Sequence, residues 1–402
     1  MNIPKKRRDL KILFHGDSIF SQSGYGVELD WIIRRLLKEV FQVAQSAKAG
    51  LTGHWLDHRL DEGTLRMYPQ LDDPHGSDML FYGAKHFGAH IAISMIDIWV
   101  IQPQFIQQLK QHGIKWWCYI PVDSVPPSPG VLRVLPLADK IITFSKFGQK
   151  ELLKHGFASE MIYEGVDVNL LKPRDKTEAK KIVGIPPTEF LFGMIAANKE
   201  NPPRKSFQEV LEGFKMFLEK HPEAGLFLHT QQISGGSFPI RDYANYLKIG
   251  QRCFFLDQLF SSIFATREDI VNQYNAFDAY LMPSQTEGFG LTAVEAQACG
   301  VPVVTTNAHS MPELIIPDKT GALVETNSRW FNNALTFWER PDPRSIYEAM
   351  EKVYAMTKGN PEQVAKDCRS NVETNFNIDT IFKERWMPLF LNLQDKLIPP
   401  KI

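Results

Sequence analysis

Apolar positions along the chain form two kinds of segment, namely short continuous runs and longer stretches with helical spacing. Lys11–Phe14 is a first apolar run, and the stretch 27–40 after it has apolar residues at 29, 32, 33, 36, 37 and 40, which lie on one helix face. Later runs separated by helix-length segments are His90–Ile93, Trp116–Ile120 and Lys140–Phe144. This strand–helix rhythm predicts a parallel sheet covered by helices.

The same rhythm restarts after a change of character over residues 164–189. Glu164-Gly165-Val166-Asp167 leads into a charged stretch, and Phe190–Ile195 is the next strand-like run. Further strands are predicted at Gly225–His229, Cys253–Leu256, Ala279–Met282 and Val301–Thr305. The α/β pattern therefore predicts two doubly wound domains joined near residues 168–185, with residues 1–170 in the first and 171–378 in the second.

The final apolar and aromatic stretch, Ile378–Leu397, predicts a terminal helix that packs on one of the domains and is interrupted at Pro388.

Composition and charge narrow the class of protein. The length of 402 residues suits two domains, and 44% hydrophobic with 23% charged residues is ordinary for a globular chain with a full core. Because 45 Lys+Arg nearly balance 46 Asp+Glu, a polyelectrolyte that coats nucleic acid is disfavoured. These numbers favour a mid-sized soluble enzyme.

The cysteines and the N-terminus bear on the cellular compartment. Four widely spaced cysteines without a Cys-x-x-Cys pair indicate reduced thiols in a cytoplasmic protein. The basic cluster 5–8 precedes only a short strand, so we expect no signal peptide. No apolar run approaches the roughly 20 residues that span a bilayer.

The stretch 283–304 contains the strongest candidate chemistry. A predicted strand enters a loop with Gly288 and Gly290, and an alanine-rich helix follows until Gly300 ends it. A helix N-terminus at the carboxyl edge of a parallel sheet is a common phosphate site. Glu287 and Glu295 flank it, and carboxylates accept hydrogen bonds from sugar and ribose hydroxyls.

A second loop, Asn198–Ser206, follows the first strand of the second domain and carries Lys199, Arg204 and Lys205. Three cations in one loop suit the departure of a diphosphate. A solvated basic loop is the alternative, and the nearby glutamate stretch favours the phosphate role.

The stretch from Glu287 to Glu295 resembles the Glu-x7-Glu signature of retaining glycosyltransferases of family 4, the glycosyl transferases group 1, which have the GT-B fold. The resemblance implies two Rossmann-like domains facing across a cleft, an acceptor-side first domain that also holds the returning helix 379–402, and a nucleotide-sugar-binding second domain. It implies that Glu287 contacts the donor sugar and that Glu295 holds the ribose. The positions it implies for the sugar and diphosphate are Phe289, Gly290, Leu291 and Thr292.

Other positions resemble the family less closely. The family has an Arg where this chain has Lys199, which keeps the charge but lacks the bidentate fork. Gly24 and Gly26 resemble the family's N-terminal glycine loop near the diphosphate. Where many relatives carry a His, this chain has Asp123, which either accepts a hydrogen bond from the sugar or acceptor or caps the turn before Pro126. Weaker candidates at strand ends are Asp97, His15 and Asp17.

The expected reaction is metal-independent transfer of a hexose, with retention, from a UDP- or GDP-sugar to a hydroxyl of a glycan, lipid or small molecule. The chain has no Asp-x-Asp motif, so Lys199, Arg204, Lys205 and the helix dipole at Gly290 would stabilise the leaving diphosphate. We expect no cofactor. The alternatives are transfer to a modified nucleic-acid base, a sugar-nucleotide epimerase, and a non-catalytic nucleotide-sugar binder.

The N-terminal basic residues leave a further question open. The cluster 5–8 together with Arg34, Arg35 and Lys38 would suit contact with a membrane surface or a nucleic acid, or form an ordinary solvated surface.

Overall fold

The structure is a computed structural model that describes residues 8–186, 190–232, 236–257 and 265–398. The chain forms two compact units. The first unit consists of the chain up to Val122, Pro126–Gly165, and the chain from Ile378 onward, and the second consists of Asp123–Val125 and Val166–Asn377. The division at Gly165 falls slightly before the expected boundary at 170.

In the first unit, the described residues form a single eight-stranded sheet in the order β3-β4-β2-β1-β5-β6-β7-β8. Its strands are β1 (Lys11–Asp17), β2 (Gln42–Ala49), β3 (Leu56–Leu60), β4 (Gly63–Tyr68), β5 (Ile91–Met95), β6 (Lys115–Ile120), β7 (Lys140–Thr143) and β8 (Glu160–Met161). Its helices before residue 165 are α1 (Gly24–Lys38), α2 (Ser77–Phe87), α3 (Pro103–Gln111), α4 (Pro129–Val134) and α5 (Lys146–Lys154). Only the edge pair β3–β4 is antiparallel, so the predicted parallel sheet is confirmed.

In the second unit, the described residues form a parallel six-stranded sheet in the order β11-β10-β9-β12-β13-β14. The elements up to the sheet's last strand are α6 (Lys176–Val183), β9 (Leu191–Ile195), α7 (Phe207–Leu218), β10 (Gly225–His229), α8 (Ile240–Tyr246), β11 (Cys253–Phe255), α9 (Arg267–Ala276), β12 (Ala279–Met282), α10 (Leu291–Ala298), β13 (Val303–Thr306) and β14 (Gly321–Val324). They are followed by β15 (Thr326–Phe331), β16 (Phe337–Pro341), α11 (Pro343–Gly359) and α12 (Pro361–Asn375).

The second sheet is packed by aromatic side chains. Phe192 on β9 meets Phe217 on α7 at a ring-centroid distance of 5.0 Å. On the same strand, a side chain at Gly193 would place its Cβ 2.2 Å from Phe277, so only glycine fits there. Close packing on both sides fixes β9 and β12, the two strands that lead into the candidate site.

The hairpin β15–β16 was not predicted from the sequence. Its antiparallel register pairs Thr326 with Pro341 and Trp330 with Trp338. A register shift lies between Thr326 and Ser328. This irregularity breaks the two-residue alternation that identifies a strand in a sequence.

The terminal helical segment corrects one prediction. It consists of α13 (Ile378–Ile381), a π-helical stretch Phe382–Trp386, and α14 (Met387–Leu397), so the chain remains helical through Pro388. A proline ring clashes with the carbonyl four residues earlier, here Glu384, which lies inside the wider π-helical stretch. The irregularity therefore precedes the proline instead of interrupting the helix at it.

The four cysteines are free and buried. No helix in the described ranges combines the length and the apolar character that crossing a membrane requires.

Candidate active site

The candidate site lies where the strand order of the second sheet reverses. β9 and β12 are parallel neighbours, with Phe192 paired to Ala279 and Gly193 to Tyr280. From this pair the chain continues outward through β10 in one direction and through β13 in the other. The loops that leave the carboxyl ends of β9 and β12 therefore meet, and such switch points are where open α/β sheets bind ligands.

Glu287 is the centre of the polar cluster formed by these two loops. Its Oε1 accepts a hydrogen bond from Ser284 Oγ at 2.7 Å and forms a very short contact with the ammonium of Lys205. Its Oε2 lies 3.3 Å from Nη1 of Arg204, which also donates to the carbonyl oxygen of Thr286 at 2.8 Å. The structure thus brings together three of the predicted residues, Arg204, Lys205 and Glu287, which we call the cation–carboxylate cluster.

Charge pairing outweighs burial for Glu287 and Arg204, whereas at Lys205 burial prevails over its pairing with Glu287 and lowers the pKa of the lysine. Burial disfavours the ionised form of Glu287, but Lys205 and Arg204 outweigh it and lower the pKa of Glu287 to about 2. Burial likewise opposes the charge on Arg204, but Glu287, Asp123 and Glu200 raise its pKa. Glu287 is therefore an ionised acceptor at neutral pH.

Side-chain hydroxyls hold the main chain of residues 283–290, the segment between β12 and α10 that we call the glutamate loop. Ser310 Oγ donates to the carbonyl oxygens of Glu287 at 2.7 Å and Phe289 at 3.2 Å, and Thr306 Oγ1 donates to that of Ser284 at 2.7 Å. Sequence reasoning missed Ser284, Ser310 and Thr306, since a single short hydroxyl side chain in a loop or at a strand end gives no pattern of its own.

The predicted helix start is present. Gly290 has φ of 116° and is the N-cap of α10, which ends as predicted before Gly300. A Cβ at Gly290 would lie 2.7 Å from the flexible end of Met282, so the left-handed backbone is the main reason for glycine at this position. The side chains of Phe289 and Leu291 are buried.

Glu295 lies on α10 in a separate polar cluster. Its Oε1 is 2.5 Å from Nη2 of Arg267, and its Oε2 accepts a hydrogen bond from the Tyr274 hydroxyl at 2.7 Å. Burial and the adjacent carboxylate raise the pKa of Tyr274 well above its ordinary value, which keeps it a donor. Arg267 and Tyr274 were not predicted because α9 gives no sequence sign that it faces Glu295.

The other two candidates of the second unit differ in their surroundings. Lys199 is exposed, and the ion pairs described for Glu287 involve Lys205 and Arg204 instead. Asp123 contributes to the raised pKa of Arg204. Its carbonyl oxygen accepts a very short hydrogen bond from Thr286, and its carboxylate accepts one from Ser124 Oγ at 2.9 Å.

The candidates of the first unit lie at the carboxyl edge of its own sheet. Gly24 and Gly26 lie in the first turn of α1, so this segment is a helix start instead of the expected loop. Ser23 caps the helix by accepting from the Gly26 N–H and donates to Asp17 at 2.6 Å. A Cβ at Gly26 would lie 2.6 Å from the carbonyl oxygens of Ser18 and Ser21.

Two other candidates of this unit, Asp97 and His15, also have polar partners. Oδ1 of Asp97 lies 3.3 Å from the hydroxyl of Tyr25. Nδ1 of His15 is 3.0 Å from the hydroxyl of Ser46.

The basic N-terminal residues are largely paired with acids. Arg34 contacts both Asp30 and Glu62, and Arg35 contacts Asp379 at 2.8 Å. Lys38 is exposed, whereas residues 5–7 lie outside the described residues. Pairing leaves this surface less basic than its sequence suggests, and contact with a membrane or nucleic acid stays a prediction.

Comparisons with known proteins bear first on the fold class and then on the family that part of the chain resembles. Sucrose-phosphate synthase from Thermosynechococcus elongatus superposes with a TM-score of 0.71 at 17% identity, covering 95% of this chain and 100% of that one. The predicted GT-B fold with two Rossmann-like units is confirmed. Residues 175–351 match the family model of glycosyl transferases group 1, so the predicted resemblance is confirmed over this stretch, which contains the cation–carboxylate cluster.

Two curated relatives match about half of the chain. D-inositol 3-phosphate glycosyltransferase of Mycobacterium sp. (strain KMS) is 29% identical over 204 residues, covering 49% of this chain and 43% of the relative. The second relative is a GDP-mannose-dependent monoacylated alpha-(1-6)-phosphatidylinositol monomannoside mannosyltransferase of Corynebacterium glutamicum. It is 27% identical over 228 residues, covering 53% of this chain and 55% of the relative. The chain thus spans about half the length of the curated relatives it matches.

Proposed function

We propose that the chain is a retaining, metal-independent glycosyltransferase that moves a hexose from a UDP- or GDP-sugar to a hydroxyl acceptor. The observation that carries the proposal is the cation–carboxylate cluster at the switch point of the second sheet, inside the stretch that matches glycosyl transferases group 1. The curated relatives are named as glycosyltransferases, and one name states dependence on GDP-mannose.

The leaving group would be stabilised by Arg204 and Lys205. A nucleoside diphosphate gains negative charge as its bond to the sugar breaks, and fixed cations in a partly buried site stabilise that charge. The Lys205 and Arg204 side chains are 19% and 29% exposed, so they are shielded yet accessible. The main-chain N–H groups at the start of α10 add the positive end of a helix dipole. Lys199 would contribute to this stabilisation only from the periphery of the site.

Glu287 would accept hydrogen bonds from the donor sugar. An ionised carboxylate only accepts hydrogen bonds, which suits it to sugar hydroxyls and makes it a poor neighbour for phosphate. Its position between two cations would therefore separate the sugar from the diphosphate. Glu295 would accept from the ribose hydroxyls, with Arg267 and Tyr274 fixing its orientation.

The proposed reaction exchanges two bonds at the anomeric carbon. The bond to the diphosphate oxygen breaks, the acceptor oxygen bonds on the same face, and the proton of the acceptor hydroxyl passes to the departing phosphate oxygen. Asp123 would orient the sugar or the acceptor through its carboxylate.

A ligand panel followed by product analysis tests the proposal. UDP-, GDP-, ADP- and TDP-sugars are screened by thermal shift, since the true donor raises the unfolding temperature by binding only the folded state. The selected donor is then incubated with and without acceptors, and the first product is examined by NMR. Retained anomeric configuration is expected. An inverted product would contradict retention, whereas donor epimerised without acceptor, or bound without reaction, would replace the transferase assignment.

A further inference from the structure

Gln285 lies in the glutamate loop, two residues before Glu287, and is 1% exposed. Its backbone N–H donates to the carbonyl oxygen of Arg204 at 2.8 Å, and its side-chain Nε2 donates to that of Pro203 at 3.1 Å. Both acceptors lie just before Lys205. Gln285 therefore joins the main chain of the glutamate loop to that of Asn198–Ser206, which we call the cation loop.

The remaining two polar groups of Gln285 face the hairpin β15–β16. Its side-chain Oε1 accepts a hydrogen bond from the indole N–H of Trp330 at 2.7 Å, and its carbonyl oxygen accepts one from the Glu339 N–H at 3.1 Å. An amide side chain donates through its nitrogen and accepts through its oxygen, so it can make both bonds at once. A carboxylate could keep the bond to Trp330 but would face the Pro203 carbonyl without a proton.

The hairpin is itself fixed to the helix that follows the cation loop. Arg340 on β16 is 2.6 Å from the buried carboxylate of Glu209, which lies in the first turn of α7. Trp330 also packs edge-on against Trp338 across the hairpin, with centroids 5.2 Å apart. The hairpin thus holds both the start of α7 and, through Gln285, the loop before it.

We propose that Gln285 is a positioning residue that sets Arg204 and Lys205 against Glu287, and that Trp330 holds Gln285 in its working orientation. The role rests on the proposed function, because it acts through cations assigned to the diphosphate. It predicts a selective defect: losing Gln285 displaces the cations and weakens recognition of the second phosphate, while contacts to the nucleoside and first phosphate remain.

The test compares the affinities of nucleoside diphosphate and monophosphate, using the UDP/UMP and GDP/GMP pairs, in the full chain. In Gln285→Ala the affinity ratio of diphosphate to monophosphate should fall about 10-fold or more, as expected when a group that orients binding residues is removed. In Trp330→Phe, which keeps the ring but loses the N–H, the ratio should fall roughly 3- to 10-fold. kcat for transfer should fall more than KM rises.

Trp338→Phe is the matched control, because it changes an indole of the same hairpin and leaves the Trp330–Gln285 bond in place. A merely structural role would lower stability in Gln285→Ala and Trp330→Phe while leaving the diphosphate-to-monophosphate ratio equal to that of the control, and this result would overturn the proposal. If Gln285→Ala does not fold, Trp330→Phe decides. If the wild-type chain itself neither prefers diphosphates nor transfers sugar, the proposed function fails instead.

Discussion

The carboxyl edges of the two sheets occupy equivalent places in the topology but hold different chemistry. The first sheet reverses its strand order between β1 and β5, and the second between β9 and β12. At the first edge His15 is buried, and burial lowers its pKa to about 4, so it is neutral at physiological pH. At the second edge Glu287 is ionised between two cations. The same backbone plan thus supports an uncharged histidine in one unit and an ion cluster in the other, because the loop side chains determine the chemistry.

The largest effect should come from removing the charge at the second edge. We expect Glu287→Gln to reduce kcat for transfer by about 100-fold or more, as for loss of a group that stabilises the transition state. Binding of nucleoside diphosphate should persist or tighten, because the two cations lose their competing carboxylate. Steady-state kinetics and calorimetry measure both quantities. The exposed Glu348→Gln is the control, and a fully active Glu287→Gln variant would remove the site assignment.

A second comparison separates two lysines of one loop. Lys205→Met should reduce kcat by about 100-fold, whereas Lys199→Met should change it by less than about 3-fold, because of these two lysines Lys205 is the one that the described contacts pair with Glu287. Both substitutions remove one positive charge and keep an unbranched side chain. Equal losses in the two variants would instead favour the family-based expectation that Lys199 binds phosphate.

A smaller effect, on the free energy of unfolding instead of catalysis, is expected from His15 at the carboxyl edge of the first sheet. The unfolded chain protonates His15 near pH 6.5 and the folded chain only near pH 4. The free energy of unfolding therefore has its full value with respect to His15 above about pH 6.5. It decreases as the pH falls towards 4, because the unfolded chain takes up the proton first. His15→Asn should reduce this acid loss of unfolding free energy by up to about 3 kcal/mol.

Urea unfolding at several pH values between 7 and 4.5 measures this acid loss. The exposed His112→Asn serves as the control. Identical slopes of unfolding free energy against pH in wild type and His15→Asn would show that the two edges do not differ in this way.

Some features of the molecule were predictable because they follow from local chemistry. Strands such as Gly225–His229 and Ala279–Met282 are short apolar runs with clear ends, and their predicted bounds match the structure. The capping glycines of α10 were predicted because a left-handed backbone favours glycine. Glu287 was singled out because it lies in the loop after a predicted strand and because the stretch to Glu295 resembles a family signature.

Other features depend on contacts between distant residues. The choice of Lys205 over Lys199 depends on how the loop turns, which its charge pattern does not encode. Arg267 and Tyr274 meet Glu295 only because α9 and α10 pack together. The hairpin β15–β16 was missed because its irregular register hides its period, and with it the partners of Gln285.

The bond from Trp330 to Gln285 also gives the site an optical signal. Indole emission changes with the hydrogen bonding of its N–H, and this indole donates directly to the loop that carries Glu287. Trp330 is one of eight tryptophans in the chain. Subtracting the spectrum of Trp330→Phe would isolate its emission, so that movement of the loop could be followed in solution without an attached label.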